Sequence, residues 1–183
     1  SNTLIREDDK GVYDALNKGI KSNNSEYVFI LHSGDTVINK SYNLMKEIIN
    51  TNILKKNKPI IIFLKALINK RKSKILTYRN SIIPIRYKMS IVHSNVIIPQ
   101  YLYKSVGYYD DSFKISADYK LIRKLLTSGE NFLEIDLPLV TCDYFGLSSK
   151  VSSFSNTIVE AIKSLKYSKA SKIEYFRFTI YSF

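Results

Sequence analysis

Two aspartates stand where a chain could do chemistry. The run Glu26-Tyr-Val-Phe-Ile-Leu-His32 reads as a strand, and Ser33-Gly34-Asp35 breaks it abruptly. A strand that ends in two small residues and an acid puts a carboxylate at the carboxyl edge of a sheet, where open α/β sheets bind ligands. Ser33 and Gly34 leave room for a ligand to approach the backbone. A hard divalent cation carrying phosphate oxygens wants such a carboxylate. Taken alone, the triplet reads first as a plain turn before a helix. The second acid, Asp118 in Ala117-Asp118-Tyr119, follows an extended polar loop and opens a helix. It is either a cap and dipole partner or a general base at the rim of a pocket.

Other chemistry-bearing residues are quieter. His93 lies in an apolar stretch, Ser90 to Ile98, that reads as a strand, and a lone strand histidine is ordinarily a satisfied core residue. The segment Asp9 to Gly19 is an unusually polar approach to a helix, and capping accounts for Asn17 and Gly19. Cys142 is the sole cysteine. It excludes an internal disulfide and a cysteine-based zinc site within one chain, and it fits a reducing compartment.

These residues need elements to hold them. Val12 to Ile20 predicts a helix with Val12, Ala15, Leu16 and Ile20 on its inner face. Glu26 to His32 predicts a strand buried on both faces. Ser41 to Asn50 predicts a helix with Leu44, Met45, Ile48 and Ile49 inward. Strands follow at Pro59 to Ile68, Ile75 to Tyr78 and Ser90 to Ile98. Pro99 and Gly107 bracket a short helix, and Ala117 to Leu126 is amphipathic through Leu121, Ile122, Leu125 and Leu126. Phe132 to Asp136 and Leu139 to Tyr144 read as two short strands around Pro138, and Ser155 to Tyr167 and Ile173 to Phe183 as helices. The alternation predicts an α/β fold.

The 183 residues are enough for one core without staples. No apolar stretch reaches the roughly 18 residues of a spanning helix, and charges at Arg6 to Lys10 precede any signal-like run. The net charge of +12 is localised: from Ile48 to Tyr109 there are twelve basic residues and no acid. Such a segment attracts nucleic acid, anionic lipid or a phosphorylated substrate, or is simply a solvated surface. Specific nucleic-acid binding is disfavoured, for no zinc-finger spacing, aromatic RNA-binding signature or sustained basic helix is present.

Taken together and in order, Asp9-Lys-Gly-Val-Tyr-Asp-Ala-Leu-Asn-Lys-Gly-Ile20, Glu26-Tyr-Val28, Leu31-His-Ser-Gly-Asp35, His93-Ser94, Leu102 to Asp110, Phe113 to Tyr119 and Phe145 to Ser149 resemble the family 2 glycosyltransferases of bacterial surface-polysaccharide synthesis. The resemblance covers about Asp9 to Ser149. It implies a GT-A fold, a mixed central sheet flanked by helices, over residues 1–150, with a C-terminal helical extension over 151–183. It implies inverting transfer of a sugar from a nucleotide-diphosphate donor to an acceptor hydroxyl, with Mg²⁺ or Mn²⁺. Asp35 matches the metal-binding acid and Asp118 the base. Asp9, Asn17, Lys18, Gly19, Ser33 and Gly34 match the donor site, and His93 and Tyr119 the acceptor side. A saccharide or lipid-linked saccharide is the implied acceptor, in a cytoplasmic protein with a peripheral place at the inner membrane face. Against the family pattern the chain reads as lacking about two β–α units, some 60 residues, of the nucleotide-binding half. The alternative is a non-catalytic glycosyltransferase-like fragment that binds a partner or an anionic membrane through its basic middle segment.

Overall fold

Val96, Ile97 and Ile98 face alternately to the two sides of one strand, and each side finds its own core: Val96 and Ile98 join one apolar cluster, Ile97 the other. This period of two sorts the side chains of the whole sheet. The computed structural model describes residues 4–51, 60–70, 74–78, 92–143 and 154–181. Six strands are ordered β1 (Tyr27–Phe29), β5 (Val96–Pro99), β3 (Ile60–Lys70), β6 (Asn131–Asp143) and β2 (Thr36–Val37), with β4 (Lys74–Tyr78) paired to the far half of β3. β3 and β6 run parallel, and every other pairing is antiparallel. The sheet is therefore mixed. Among the described residues no helix is long and apolar enough to cross a membrane.

Several elements differ from the sequence reading. β1 is an edge strand of only three residues, half-buried rather than covered on both faces, and Leu31 beyond it is exposed. The two strands expected around Pro138 are one strand, β6. Register shifts opposite Leu64, Lys65 and Ala66 absorb the proline, which faces Lys65, so the ladder resumes at Val140. The strand expected over Ser90 to Ile98 starts only at Val96; His93–Asn95 form a 3₁₀ turn.

Helix α1 (Val12–Ser22) is rotated relative to its expected face. Tyr13, Asn17 and Ile20 are buried, while Val12 is exposed. Two polar anchors turn it. The Tyr13 hydroxyl donates to the Ile115 carbonyl, and the Asn17 amide holds the Tyr109 main chain at both ends, Nδ2 to its carbonyl at 2.8 Å and its N–H to Oδ1 at 3.0 Å. At the far end the Gln100 amide donates to the Ile20 and Asn23 carbonyls and satisfies the end of the helix. In α2 (Asn39–Asn50), Met45 and Ser41 are buried and Leu44 is exposed, for only one stripe of this helix reaches β6.

Tyr109 is delivered by an unusual turn. Helix α3 (Gln100–Val106) ends at Gly107, φ 91°, and Tyr108 is also left-handed at φ 60°. Their N–H groups both donate to the Tyr103 carbonyl, at 3.0 and 2.7 Å. This reversal is a glycine-type C-cap, and it swings Tyr109 into the core. Helix α4 (Ala117–Thr127) is buried almost all round, Lys120 and Arg123 included. α5 (Phe154–Tyr167) and α6 (Lys172–Tyr181) cover it: Ala161, Leu165 and Phe178 enter its apolar cluster, Arg123 Nε donates to Ser168 Oγ at 2.6 Å, and Glu174 lies 3.7 Å from the guanidinium.

Two stability outcomes follow from α1. Asn17→Ala leaves a buried N–H and carbonyl of Tyr109 unpaired and should cost about 2–4 kcal/mol, read as a lower urea midpoint with unchanged slope. Gly19 has no neighbour within 4 Å of an added Cβ. Gly19→Ala should therefore raise stability by about 0.5–1 kcal/mol in the same measurement.

Candidate functional site

Asp35 is set by a turn and a short ladder. Its N–H donates to the His32 carbonyl at 3.1 Å, with Gly34 at φ 91° between them, so the chain reverses directly after the extended residues that follow β1. The next two residues, Thr36 and Val37, pair with Thr141 and Val140 of β6. The half-buried carboxylate thus stands where the turn meets the sheet. The Ser94 hydroxyl donates to its Oδ2. Ser94 can do so because the 3₁₀ turn is itself fastened: Asn95, fully buried, accepts the Val140 N–H at 3.1 Å and donates to Cys142 Sγ at 3.6 Å. Burial pushes the Cys142 thiol up to about 12, and the negative charge of Asp35 adds to the effect.

From this turn a polar and aromatic chain runs towards Asp118. His93 Nδ1 lies 3.3 Å from His32 Nε2, and its other nitrogen contacts the Tyr109 hydroxyl. Tyr109 stacks on Tyr13 with ring centroids 5.6 Å apart. Tyr13 bonds the Ile115 carbonyl, three residues before Asp118. Burial, with repulsion from His32 behind it, pushes His93 down to about 3, so its ring is neutral at physiological pH. Burial likewise raises Tyr13 and Tyr109, and the charge of Asp118 contributes to both. These tyrosines are donors and stacking surfaces, not proton acceptors.

Asp118 lies in the first turn of α4, half-buried. Burial pushes its carboxyl up to about 6; main-chain N–H groups, Tyr119's at 2.8 Å among them, pull the other way, and Glu160 adds a further upward push. The group is mostly ionised at pH 7 yet holds a proton far better than a solvated aspartate, which is what a general base needs.

The remaining expected residues fall in different places. Lys18 pairs with Asp14 at 3.3 Å and Glu7 at 3.7 Å and donates to the Asp8 carbonyl, so it ties the leading segment to α1. Asp9 accepts the Gly11 N–H at 3.0 Å. Ile5, Glu7, Asp9, Ala15, Lys18 and Gly19 line a hollow of about 220 Å³. Its one cation is already paired and two of its groups are acids, so the hollow suits hydroxyls or a base edge better than a bare phosphate. Asn17 is spent on Tyr109. Tyr119 is buried with its ring 5.8 Å from the Arg123 guanidinium. Ser33 and Gly34 are exposed in the turn before Asp35. Eight of the twelve basic residues of the middle segment, and the stretch Phe145 to Ser149, lie outside the described residues.

Sequence reasoning missed Tyr13, Tyr109, Ser94 and Glu160 as site residues. Tyr13 and Asn17 are four apart, which a search for one helical face could have found; Glu160 leaves no local signal. Among the described residues no group of three His, Cys, Asp or Glu side chains converges as a metal cage. A lone carboxylate oriented by Ser94 still fits Mg²⁺ or Mn²⁺, which take most of their ligands from water and substrate phosphates.

No protein-family model matches the chain, and no curated protein does. Solved structures do. TarS 1–349 of S. aureus in complex with UDP-GlcNAc superposes with a TM-score of 0.63 at 13% identity, covering 96% of this chain and 52% of that one. A second S. aureus TarS 1–349 structure gives 0.61 at 13%, covering 92% and 50%. A longer S. aureus TarS structure gives 0.55 at 14%, covering 92% and 42%. The chain spans about half the length of the TarS structures it matches. The likeness is one of fold: this is a mixed α/β domain with a glycosyltransferase-like fold.

Proposed function

We propose that this chain is the catalytic part of an inverting, metal-dependent family 2 glycosyltransferase with a GT-A fold, working in bacterial surface-polysaccharide or lipopolysaccharide synthesis. The observation that carries the reading is Asp118, a half-buried carboxyl with a raised proton affinity, joined by Tyr13, Tyr109, His93 and Ser94 to the second carboxylate, Asp35. The fold likeness to TarS, seen with UDP-GlcNAc and with UDP, supports a nucleotide-diphosphate sugar as donor. The acceptor is a saccharide or lipid-linked saccharide. The basic middle segment is a candidate for contact with its diphosphate or with an anionic membrane face.

Asp118 takes the proton of the acceptor hydroxyl as its oxygen attacks the anomeric carbon from the face opposite the leaving group. The C–O bond to the diphosphate breaks, the nucleoside diphosphate departs, and the anomeric centre inverts. Mg²⁺ or Mn²⁺, when bound, offsets the charge that grows on the departing diphosphate. Asp35 would hold that cation, with Ser94 fixing the carboxylate's orientation. The hollow beside Lys18 and Gly19 would receive the ribose or the base. Neutral His93 and the Tyr109 hydroxyl are links in the chain of contacts between the two acids.

Three outcomes test this. Mn²⁺ with UDP should raise the Tm of the wild-type chain by several degrees at saturation, and Asp35→Ala should abolish that rise. An equal rise in the variant would sink the metal role. Asp118→Asn should lower kcat by about 10²–10⁴-fold with the UDP-induced Tm rise retained, and wild-type kcat/KM should fall as pH drops below about 6.

The third outcome is one of stability. Asp118 titrates near 3.8 when unfolded and about 6 when folded, so its contribution is full below pH 4 and is lost as pH rises through 6. Asp118→Asn should therefore be more stable than wild type at pH 8, by about 1–2 kcal/mol after allowance for solvent screening. The two should converge near pH 4 in urea titrations.

A further inference from the structure

Glu160 is one of two acids between residues 154 and 183, in a helix whose other charged residues are Lys163 and Lys166. It is buried, and its carboxylate accepts three consecutive main-chain N–H groups from a different part of the chain. Lys114 and Ser116 donate at 2.8 Å and Ile115 at 2.9 Å. Those residues form the turn that leads into α4, two residues before Asp118. The opposite side of the same turn is held by Tyr13, whose hydroxyl donates to the Ile115 carbonyl. The turn is thus clamped between α1 and α5, its N–H groups on one and a carbonyl on the other. A carboxylate with three charge-assisted bonds is a strong and directional anchor.

We infer that Glu160 is the positioning residue of the site: by gathering the Lys114, Ile115 and Ser116 N–H groups it fixes the turn from which Asp118 projects. Its catalytic meaning rests on the transferase reading above, while the placement of Asp118 does not. Glu160 acts through the backbone and through its charge. Among the described residues, besides Glu160 of α5, the titratable groups that face Asp118 are Tyr13 of α1 and Tyr109 of the loop before α4. Both tyrosines are neutral at physiological pH, so Glu160 supplies the negative field. Removing its charge acts towards easier ionisation of Asp118. Helix α5, which in sequence reads as part of an extension, thereby carries part of the site.

The test is a carboxyl-carbon NMR titration of the whole chain, with the Asp118 signal assigned from Asp118→Asn, run beside turnover of UDP-GlcNAc. Glu160→Gln keeps the shape but can no longer accept all three N–H groups. It should move the Asp118 midpoint below its wild-type value near 6 and lower kcat about tenfold, with the UDP-induced Tm rise intact. Glu160→Asp keeps the charge and should hold the midpoint near wild type while recovering part of kcat; it also serves if the glutamine variant does not fold. An unmoved midpoint in Glu160→Gln overturns the inference. So does an equal loss of UDP binding and turnover, the mark of general damage. A moved midpoint in Glu160→Gln, beside a wild-type chain that turns over no donor, would leave the positioning role standing and bring down the transferase reading alone.

Discussion

The amide of Asn17 holds the Tyr109 main chain by both its N–H and its carbonyl, out of reach of water. An amide side chain is the right size and polarity to replace a strand partner, and here it closes a two-bond ring between a helix and a loop 92 residues away. Much of the site hangs on that ring. With the backbone of Tyr109 fixed, its hydroxyl meets His93 and its ring stacks on Tyr13. Tyr13 in turn reaches the turn before Asp118. The left-handed pair Gly107–Tyr108 is the local cost of bringing the chain there; the Tyr103 carbonyl, taking both N–H groups, offsets it.

The sheet contributes placement, not reactive groups. One face of the sheet shares an apolar cluster with α1, α3, α4, α5 and α6, and the other shares its cluster with α2. The candidate residues come from loops and turns at its margins: the 32–35 turn, the 3₁₀ turn before β5, and the start of α4. This is the usual division between a rigid scaffold and variable chemistry. Buried charges on α4 are matched rather than isolated. Lys120 meets Asp110 and packs 3.6 Å from the Tyr167 ring centroid, and Arg123 meets Ser168 and Glu174.

Sequence patterning located the strands and helices well where apolar residues repeat with a clean period, as in α4 and β3. The order of small residues and acids marked Asp35 and Asp118 as the points to watch. It failed where a polar side chain overrides the pattern. Asn17 sits in the buried face of α1 because Tyr109 needs it, so an apolar-only reading turned that helix the wrong way. Pro138 looked like a break, but two register shifts let the ladder carry on past it. His93 looked like a strand residue, but Asn95 pulls the chain into a 3₁₀ turn by bonding across to β6. Such long-range bonds leave no periodic trace. Glu160 is the extreme case, because its three partners lie more than forty residues upstream.

The lone thiol has a use of its own. Cys142 is buried in β6, beside the strand that anchors Asp35, and its proton is held so firmly that almost none of it is thiolate at neutral pH. Alkylating reagents therefore meet it only when the β2–β6 margin opens. The rate of its labelling is a natural clock for breathing of the sheet beside Asp35, written into the chain without any engineered probe.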